Sequence, residues 1–253
     1  KGFIMRLEEA LKRLHKSVVS CRECPRLVSY LEEISNRKPK RYRQWDYWGK
    51  PLPSFGDPQA RLLIVGLAPA AHGGARTGRM FTGDRSGEWL FSALHEAGFS
   101  NRPKSDRRDD DLTLRDCYIT ATIHCAPPKN KPLPQEIESC RPYLLEEFRL
   151  LKRVRIILTL GQIAFTQTLR SLRLVGYEIP NLPFYHGRMY RVSRRKGGKD
   201  FLRNDFKADL STGALEILAT YHPSQQNTQT GRLTRPMFRQ IFEKIREEIG
   251  EER

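Results

Sequence analysis

The sequence predicts an α/β fold, a three-layer α/β/α sandwich around a central four-stranded parallel sheet. Four short apolar runs support this prediction, because strands buried on both faces read as continuous apolar stretches. Segments with helical spacing separate these runs, and such alternation is typical of a parallel sheet covered by helices. The 253 residues suffice for a sizeable core, so residues 1–253 are assigned to a single domain.

The four predicted strands are spread over most of the chain. They are Arg61–Val65, Cys117–Ile123, Val154–Leu160 and Leu215–Tyr221. Helical spacing marks residues 87–99, 134–151, 162–172 and 235–249. In a sheet of this kind the ligand binds beyond the carboxyl ends of the strands. Those ends read GLAPAAHGG, HCAPP, GQ and HPSQQNTQTG, so we expect these four loops to line one crevice.

The loop after the first strand is rich in glycine. GLAPAAHGGARTGRMFTGDRSGEW (residues 66–89) contains six glycines, but it has neither the lysine of a P-loop nor the G-x-G-x-x-G spacing of a dinucleotide site. Repeated glycine lets a ligand approach backbone N–H groups closely. Asp84, the first acid of the stretch, stands where a helix is predicted to begin.

The charge of the chain is strongly positive. Lysine and arginine total 45 against 29 acids, which gives a net charge of +16. Such an excess favours nucleic acid or an acidic membrane surface as partner, although the charged surface of a thermostable protein is an alternative. No apolar run reaches eighteen residues and no secretory segment opens the chain, so we expect an intracellular, cytoplasmic protein that does not span a membrane.

Two further segments are basic. Residues 37–50, RKPKRYRQWDYWGK, mix cations with aromatics, which is the composition of a surface that grips a nucleic-acid backbone or stacks on bases. A basic loop with its aromatics packed into the core is an equal alternative. Residues 191–213 are basic and polar and predict a hairpin.

The five cysteines are an odd number, so they cannot all form disulfide pairs, and an intracellular protein rarely forms disulfides. Cys21 and Cys24 form a C-x-x-C motif, while Cys125 and Cys140 flank a proline-rich segment. Thiolates of this kind bind zinc or an iron–sulfur cluster, and their number alone does not decide between them. Cys117 lies inside a predicted strand and is assigned to the core.

GLAPAAHGGARTGRMFTGDRSG, CAPPKNKP and HPSQQNTQTGRLT together resemble the uracil-DNA glycosylase superfamily, most closely its family 5, the iron–sulfur type. The resemblance extends over residues 21–242. It implies a four-stranded parallel α/β/α sandwich that acts on double-stranded DNA as a monomer. It also implies monofunctional hydrolysis of the N-glycosidic bond of uracil and other deaminated bases, including hypoxanthine. The alternative is a non-catalytic nucleic-acid-binding protein that holds a metal on four cysteines.

The resemblance assigns roles to three catalytic candidates. Asp84 would position the attacking water, because GLAPA (residues 66–70) contains no acid or amide that could do so. An acid at the start of a helix is also favoured by the helix dipole in any protein. His222 would donate a hydrogen bond to O2 of the departing uracil. Asn130 would contact the edge of the base or help to hold the water.

The resemblance also implies the remaining parts of the site. Phe81 would stack on the extruded base, with Ala68, Ala70, His72 and Ala121 as the other base-binding residues. Ala121 stands where uracil-strict families have an asparagine, so the pocket is expected to discriminate less well among bases. The DNA-binding residues would be Gly83, Ser86, Ser224, Gln226, Asn227 and Arg232. The ligands of a [4Fe-4S] cluster would be Cys21, Cys24, Cys125 and Cys140.

Overall fold

A computed structural model describes residues 2–195 and 215–250. The strands are β1 (Phe55–Gly56), β2 (Leu62–Gly66), β3 (Cys117–Ala121), β4 (Ile156–Leu160), β5 (Tyr177–Glu178), β6 (Met189–Arg194) and β7 (Leu215–Thr220). The helices are α1 (Gly2–Ser20), α2 (Pro25–Asn36), α3 (Gly74–Thr77), α4 (Arg85–Glu96), α5 (Pro134–Leu150), α6 (Gln162–Leu174), α7 (Gln225–Gln229) and α8 (Arg235–Ile249).

The four strands predicted from the sequence form the centre of the sheet. They are parallel and adjacent in the order β3-β2-β4-β7. Every residue of these strands is buried, which explains why they read as continuous apolar runs. The predicted α/β class and the parallel core are confirmed.

The predicted number of four strands is wrong, because the sheet has seven strands within the described residues. Three antiparallel strands extend the parallel core: β1 pairs with β3, β6 pairs with β7, and β5 pairs with β6. β1 and β5 have two residues each, too few for a periodic pattern. β6 is a partly exposed strand with the sequence MYRVSR, and its arginines interrupt the continuous apolar run by which the four core strands were predicted.

Helices cover both faces of the sheet, and the alternation of side chains along β2 divides the core between them. Leu62 and Ile64 pack with Phe91 of α4 and Phe242 of α8 in one apolar cluster. Leu63 and Val65 point the other way and pack with residues of α1, α5 and α6. Cys117 is fully buried, as predicted. No helix in the described part of the chain has the length and apolar character needed to cross a bilayer.

The parallel arrangement brings four strand ends to one edge of the sheet. β2 leads into the glycine-rich loop, β3 into residues 122–133, β4 into Gly161, and β7 into Tyr221 and His222. Gly66 and Ala121 are register partners at this edge. The predicted hairpin over residues 191–213 lies mostly outside the described residues; its first four residues belong to β6.

Candidate active site

Asp84 caps the N-terminus of α4. Its Oδ1 accepts a hydrogen bond of 2.8 Å from the Gly87 N–H, and its backbone is extended. Burial raises the pKa of the Asp84 carboxyl above its ordinary value, while backbone N–H groups and the charge of Arg76 act in the opposite direction. The carboxylate therefore lies in a sheltered position at a helix end.

The glycines of the loop leave room for the protein itself. A Cβ at Gly73 would lie 2.2 Å from Asp84 Oδ2, and a Cβ at Gly66 would lie 2.7 Å from the Phe81 ring. At Gly87 the added carbon would meet the Phe81 carbonyl oxygen at 1.6 Å. The frequency of these glycines in the sequence predicted the close approach of a ligand. In the structure they admit the side chain of Asp84 and the ring and backbone of Phe81.

Phe81 is held in an unusual backbone conformation. Its φ is +54°, a left-handed conformation that costs free energy for a bulky residue and occurs often at functional sites. Its ring faces that of His222, with 6.0 Å between ring centroids and 30° between planes. The loop that follows β2 and the loop that follows β7 thus each contribute one ring to this pair.

His222 is held in position by a contact within its own loop and by a contact with the loop after β4. The Asn227 amide donates a hydrogen bond of 2.9 Å to the His222 carbonyl, and Gly161 lies beside the His222 Cβ. Burial lowers the pKa of the imidazole to about 4. The ring is therefore neutral at pH 7, and one of its nitrogens carries a proton that can be donated.

The other predicted base-binding residues lie on the loop after β2 and at the end of β3. Ala121 is buried beside Gly66, so it is next to the position over which the Phe81 ring packs. Ala68 and Ala70 are half-buried. His72 is also half-buried, and its Nδ1 is 3.0 Å from the Tyr47 hydroxyl.

Arg76 was missed by the sequence analysis although it joins three segments. It is 3% exposed. Its Nε donates to the His72 carbonyl at 2.8 Å and its Nη2 to the Gly83 carbonyl at 2.9 Å. The guanidinium carbon lies 4.1 Å from the centroid of the Tyr42 ring and 4.0 Å from that of Trp45. Arg76 therefore fixes the residue before Asp84.

Asn130 lies further from these contacts. It is exposed at the end of a 3-10 turn, Pro128–Asn130, where Lys129 and Asn130 have φ of +54° and +56°. Within the described residues its side chain makes no hydrogen bond. The structure thus pairs Phe81 with His222 but does not bring Asn130 into contact with Asp84.

The predicted DNA-binding residues divide into exposed and internally bonded ones. Gln226 and Arg232 are exposed, and the Arg232 guanidinium lies over the Tyr221 ring at 4.6 Å. Ser224 caps α7 by accepting from the Asn227 N–H at 3.3 Å. The Asn227 amide is bonded to the His222 loop, as described above. Gly83 and Ser86 flank Asp84 along the chain.

The four predicted cysteine ligands surround one small cavity. Cys21 and Cys24 come from the junction of α1 and α2, Cys125 from the loop after β3, and Cys140 from α5. Burial raises the pKa of the Cys125 thiol to about 12, and charge on Cys21 and Cys24 adds to the effect. Within residues 2–195 and 215–250, no three His, Cys, Asp or Glu side chains are grouped as ligands of a metal ion.

The family model described as the Uracil DNA glycosylase superfamily matches residues 53–246. The chain therefore belongs to the uracil-DNA glycosylase superfamily, and the resemblance found in its motifs is confirmed.

Two curated relatives with a type-5 name cover most of the chain. The type-5 uracil-DNA glycosylase of Thermus thermophilus is 44% identical over 227 residues, which are 90% of this chain and 93% of the relative. That of Pyrobaculum aerophilum is 40% identical over 234 residues, 92% of this chain and 91% of the relative. The type-4 uracil-DNA glycosylase of Archaeoglobus fulgidus is 26% identical, with 96% of this chain and 93% of the relative covered.

Proposed function

We propose that this protein is a monofunctional DNA glycosylase that acts as a monomer on double-stranded DNA. It hydrolyses the N-glycosidic bond of uracil and other deaminated bases, which is the first step of base excision repair. The observation that carries the proposal is the placement of Phe81 opposite a neutral His222. Phe81 lies on the loop after β2, which also carries Asp84 at the N-terminus of α4. The high identity to type-5 enzymes over nine tenths of the chain gives no support to the non-catalytic alternative.

Base recognition begins with extrusion of the nucleotide from the duplex, since the bond to be cleaved is otherwise inaccessible. The extruded base stacks on Phe81, whose backbone is fixed by its close contacts with Gly66 and Gly87. Ala121 offers no side-chain hydrogen bond to the edge of the base. The pocket therefore accepts several deaminated bases, hypoxanthine among them, because discrimination depends on polar groups that a wrong base leaves unpaired.

Cleavage of the bond leaves negative charge on the base and positive charge on the sugar. His222 donates its proton in a hydrogen bond to O2 of uracil, where the negative charge develops. A neutral imidazole suits this role, because it donates without taking a proton from solvent at physiological pH. One such donor in a sheltered site contributes about 3–4 kcal/mol to transition-state stabilisation.

Asp84 positions the water that attacks the sugar. Its carboxylate is fixed by the Gly87 N–H and by the space that Gly73 leaves. As an ionised group it also stabilises the positive charge of the sugar. At the N-terminus of α4 its negative charge also interacts favourably with the helix dipole. The capping and catalytic interpretations are therefore compatible.

Cys21, Cys24, Cys125 and Cys140 are the proposed ligands of a [4Fe-4S] cluster. The donor set fits, because four thiols line one cavity and a buried thiolate is stabilised by bonding to a metal. A single ion holds all its sulfur ligands at about 2.3 Å, whereas a cluster distributes them over several irons and spaces them more widely. The cluster would tie α1 and α2 to the loop that carries Asn130.

The test is excision of uracil from a duplex, followed by alkali to break the strand at the abasic site. The parent protein should release uracil, while a duplex with thymine at the same position stays intact. Asp84→Asn should slow single-turnover excision by roughly 10²-fold or more, as expected when a general base is lost. Its affinity for an uncleavable analogue should stay at the parent value. Parental excision by Asp84→Asn would show that Asp84 is only a helix cap.

A further inference from the structure

A large basic cleft lies behind the loop that carries Asp84. It has a volume of about 1110 Å³, and seven cations but only two acids line it. Six of these cations are exposed: Lys40, Arg41, Arg43, Lys50, Arg107 and Arg108. They lie on two segments, residues 40–50 and residues 107–109, which face each other across the cleft.

Both walls are fixed to the active-site loop. On one wall the N–H groups of Trp48 and Gly49 donate to the carbonyls of Arg76 and Ala75 at 3.0 and 3.1 Å. On the other, the Arg79 guanidinium donates to the Arg108 carbonyl and forms an ion pair with Asp110. Hydrogen bonds and an ion pair therefore fix both walls of the cleft relative to the active-site loop.

The cations of the cleft are largely unpaired. Arg107 forms an exposed ion pair of 3.1 Å with Asp109, and such exposed pairs contribute little. For Lys40, Arg41, Arg43, Lys50 and Arg108, no carboxylate partner is found in the described part of the chain. Like charges held together in this way repel one another, and a polyanion in the cleft relieves that repulsion.

The tryptophans of the cleft support guanidinium groups. The Arg76 guanidinium lies 4.0 Å from the centroid of Trp45 and that of Arg108 lies 4.4 Å from the centroid of Trp48. A ring face covered by an arginine does not stack on a base. The stacked Arg108 guanidinium still presents its in-plane N–H groups, which match the geometry of phosphate oxygens. This arrangement favours the nucleic-acid backbone over its bases.

We propose that this cleft binds the phosphodiester backbone of double-stranded DNA beside the extruded nucleotide, without reading its sequence. The proposal rests on the proposed glycosylase function for its partner. Arg76 gives the location, because it lines the cleft on one side and bonds to the Gly83 carbonyl, next to Asp84, on the other. The cleft is separate from the loop over residues 224–232, so the enzyme grips DNA at two places.

The test compares two double variants. The cleft variant carries Arg41→Gln and Arg108→Gln. The control has the same change of charge and carries Lys12→Gln and Arg13→Gln, on the exposed face of α1. Binding to undamaged duplexes of unrelated sequence is measured by fluorescence anisotropy over a range of salt concentrations. Circular dichroism verifies that each variant is folded. Uracil excision by the parent is scored separately, so that failure of the glycosylase function and failure of the cleft are distinguished.

The cleft variant should bind all duplexes roughly tenfold or more weakly at low salt, and the slope of log Kd against log salt should decrease by about 1–2, since each lost phosphate contact removes about 0.9. The control should keep the parent's affinity and slope. A cleft variant that matches the control would overturn the proposal. Loss of binding to single-stranded RNA with unchanged duplex binding would overturn it as well, because the occupant would then be a different nucleic acid.

Discussion

Asp84 has two neighbours that determine how it can act, Gly73 and Arg76. The first leaves space for the carboxylate, and the second fixes the preceding carbonyl and contributes positive charge. The sequence pointed to Asp84, Phe81 and His222 as site candidates, because all three belong to motifs. It was not sufficient to find Arg76, whose role depends on Tyr42 and Trp45, more than thirty residues earlier in the chain.

The charge of Arg76 should be visible in the pH dependence of excision. In the proposed mechanism Asp84 acts as a carboxylate, so we expect the rate to fall as the pH decreases through the pKa of Asp84, which burial raises. Arg76→Met removes a charge that lowers this pKa, so the acid limb of the single-turnover rate should move to higher pH. The measurement is the single-turnover rate as a function of pH.

Arg76→Lys provides the matched comparison. It keeps the charge but loses the planar fork that bonds to two carbonyls, so its acid limb should stay nearer that of the parent even if the rate decreases. The same acid limb in Arg76→Met and in the parent would contradict the electrostatic role. A purely structural arginine would change the rate of both variants without moving the limb.

At the scale of elements, the parallel strands were predictable and the antiparallel ones were not. Burial on both faces gives β2, β3, β4 and β7 an apolar sequence that needs no knowledge of their neighbours. β1 and β5 form only because another strand lies alongside each of them. Each has two residues, which are too few to show the alternating pattern of a strand. The left-handed backbone of Phe81 was equally unpredictable, since it results from packing against Gly66 and Gly87.

The four-cysteine cavity lies between the junction of α1 and α2, helix α5 and the loop after β3. Cys140→Ser should abolish the brown colour and the iron content of anaerobically purified protein, which we expect to be about four irons per chain in the parent. Cys117→Ser is the control, because Cys117 lies in β3 and is assigned to the core, so the iron content should persist. One zinc per chain without sulfide in the parent would contradict the cluster.

For the whole molecule, a buried acid on α5 makes stability depend on pH. Burial raises the pKa of Glu147 to about 7, although hydrogen bonds from Ser54 and Thr120 oppose the shift. Below about pH 7 the folded protein thus holds this group mostly neutral, whereas the unfolded chain ionises it near pH 4.5. The free energy of unfolding should therefore fall as pH rises from about 4.5 to 7, by an amount on the order of 3 kcal/mol.

Glu147→Gln should remove this fall, because an amide does not titrate. The difference in unfolding free energy between the variant and the parent should therefore shift in favour of the variant as the pH rises from 5 to 8. Urea unfolding at each pH measures this difference. Glu146→Gln is the control, since Glu146 is partly exposed and pairs with Arg149. Parallel pH profiles for parent and Glu147→Gln would show that Glu147 ionises normally in the folded state.

The short antiparallel strands at the margins of the sheet have a consequence for solubility. A parallel core of four apolar strands with open sides would offer unpaired N–H and C=O groups to another copy of itself. Here β1 closes one side with two residues, and β6 and β5 close the other. β6 also carries Arg191 and Arg194. Within the described residues these margins are short or charged and therefore poor templates for a further strand, so we expect the protein to collect on DNA without pairing edge to edge with other copies.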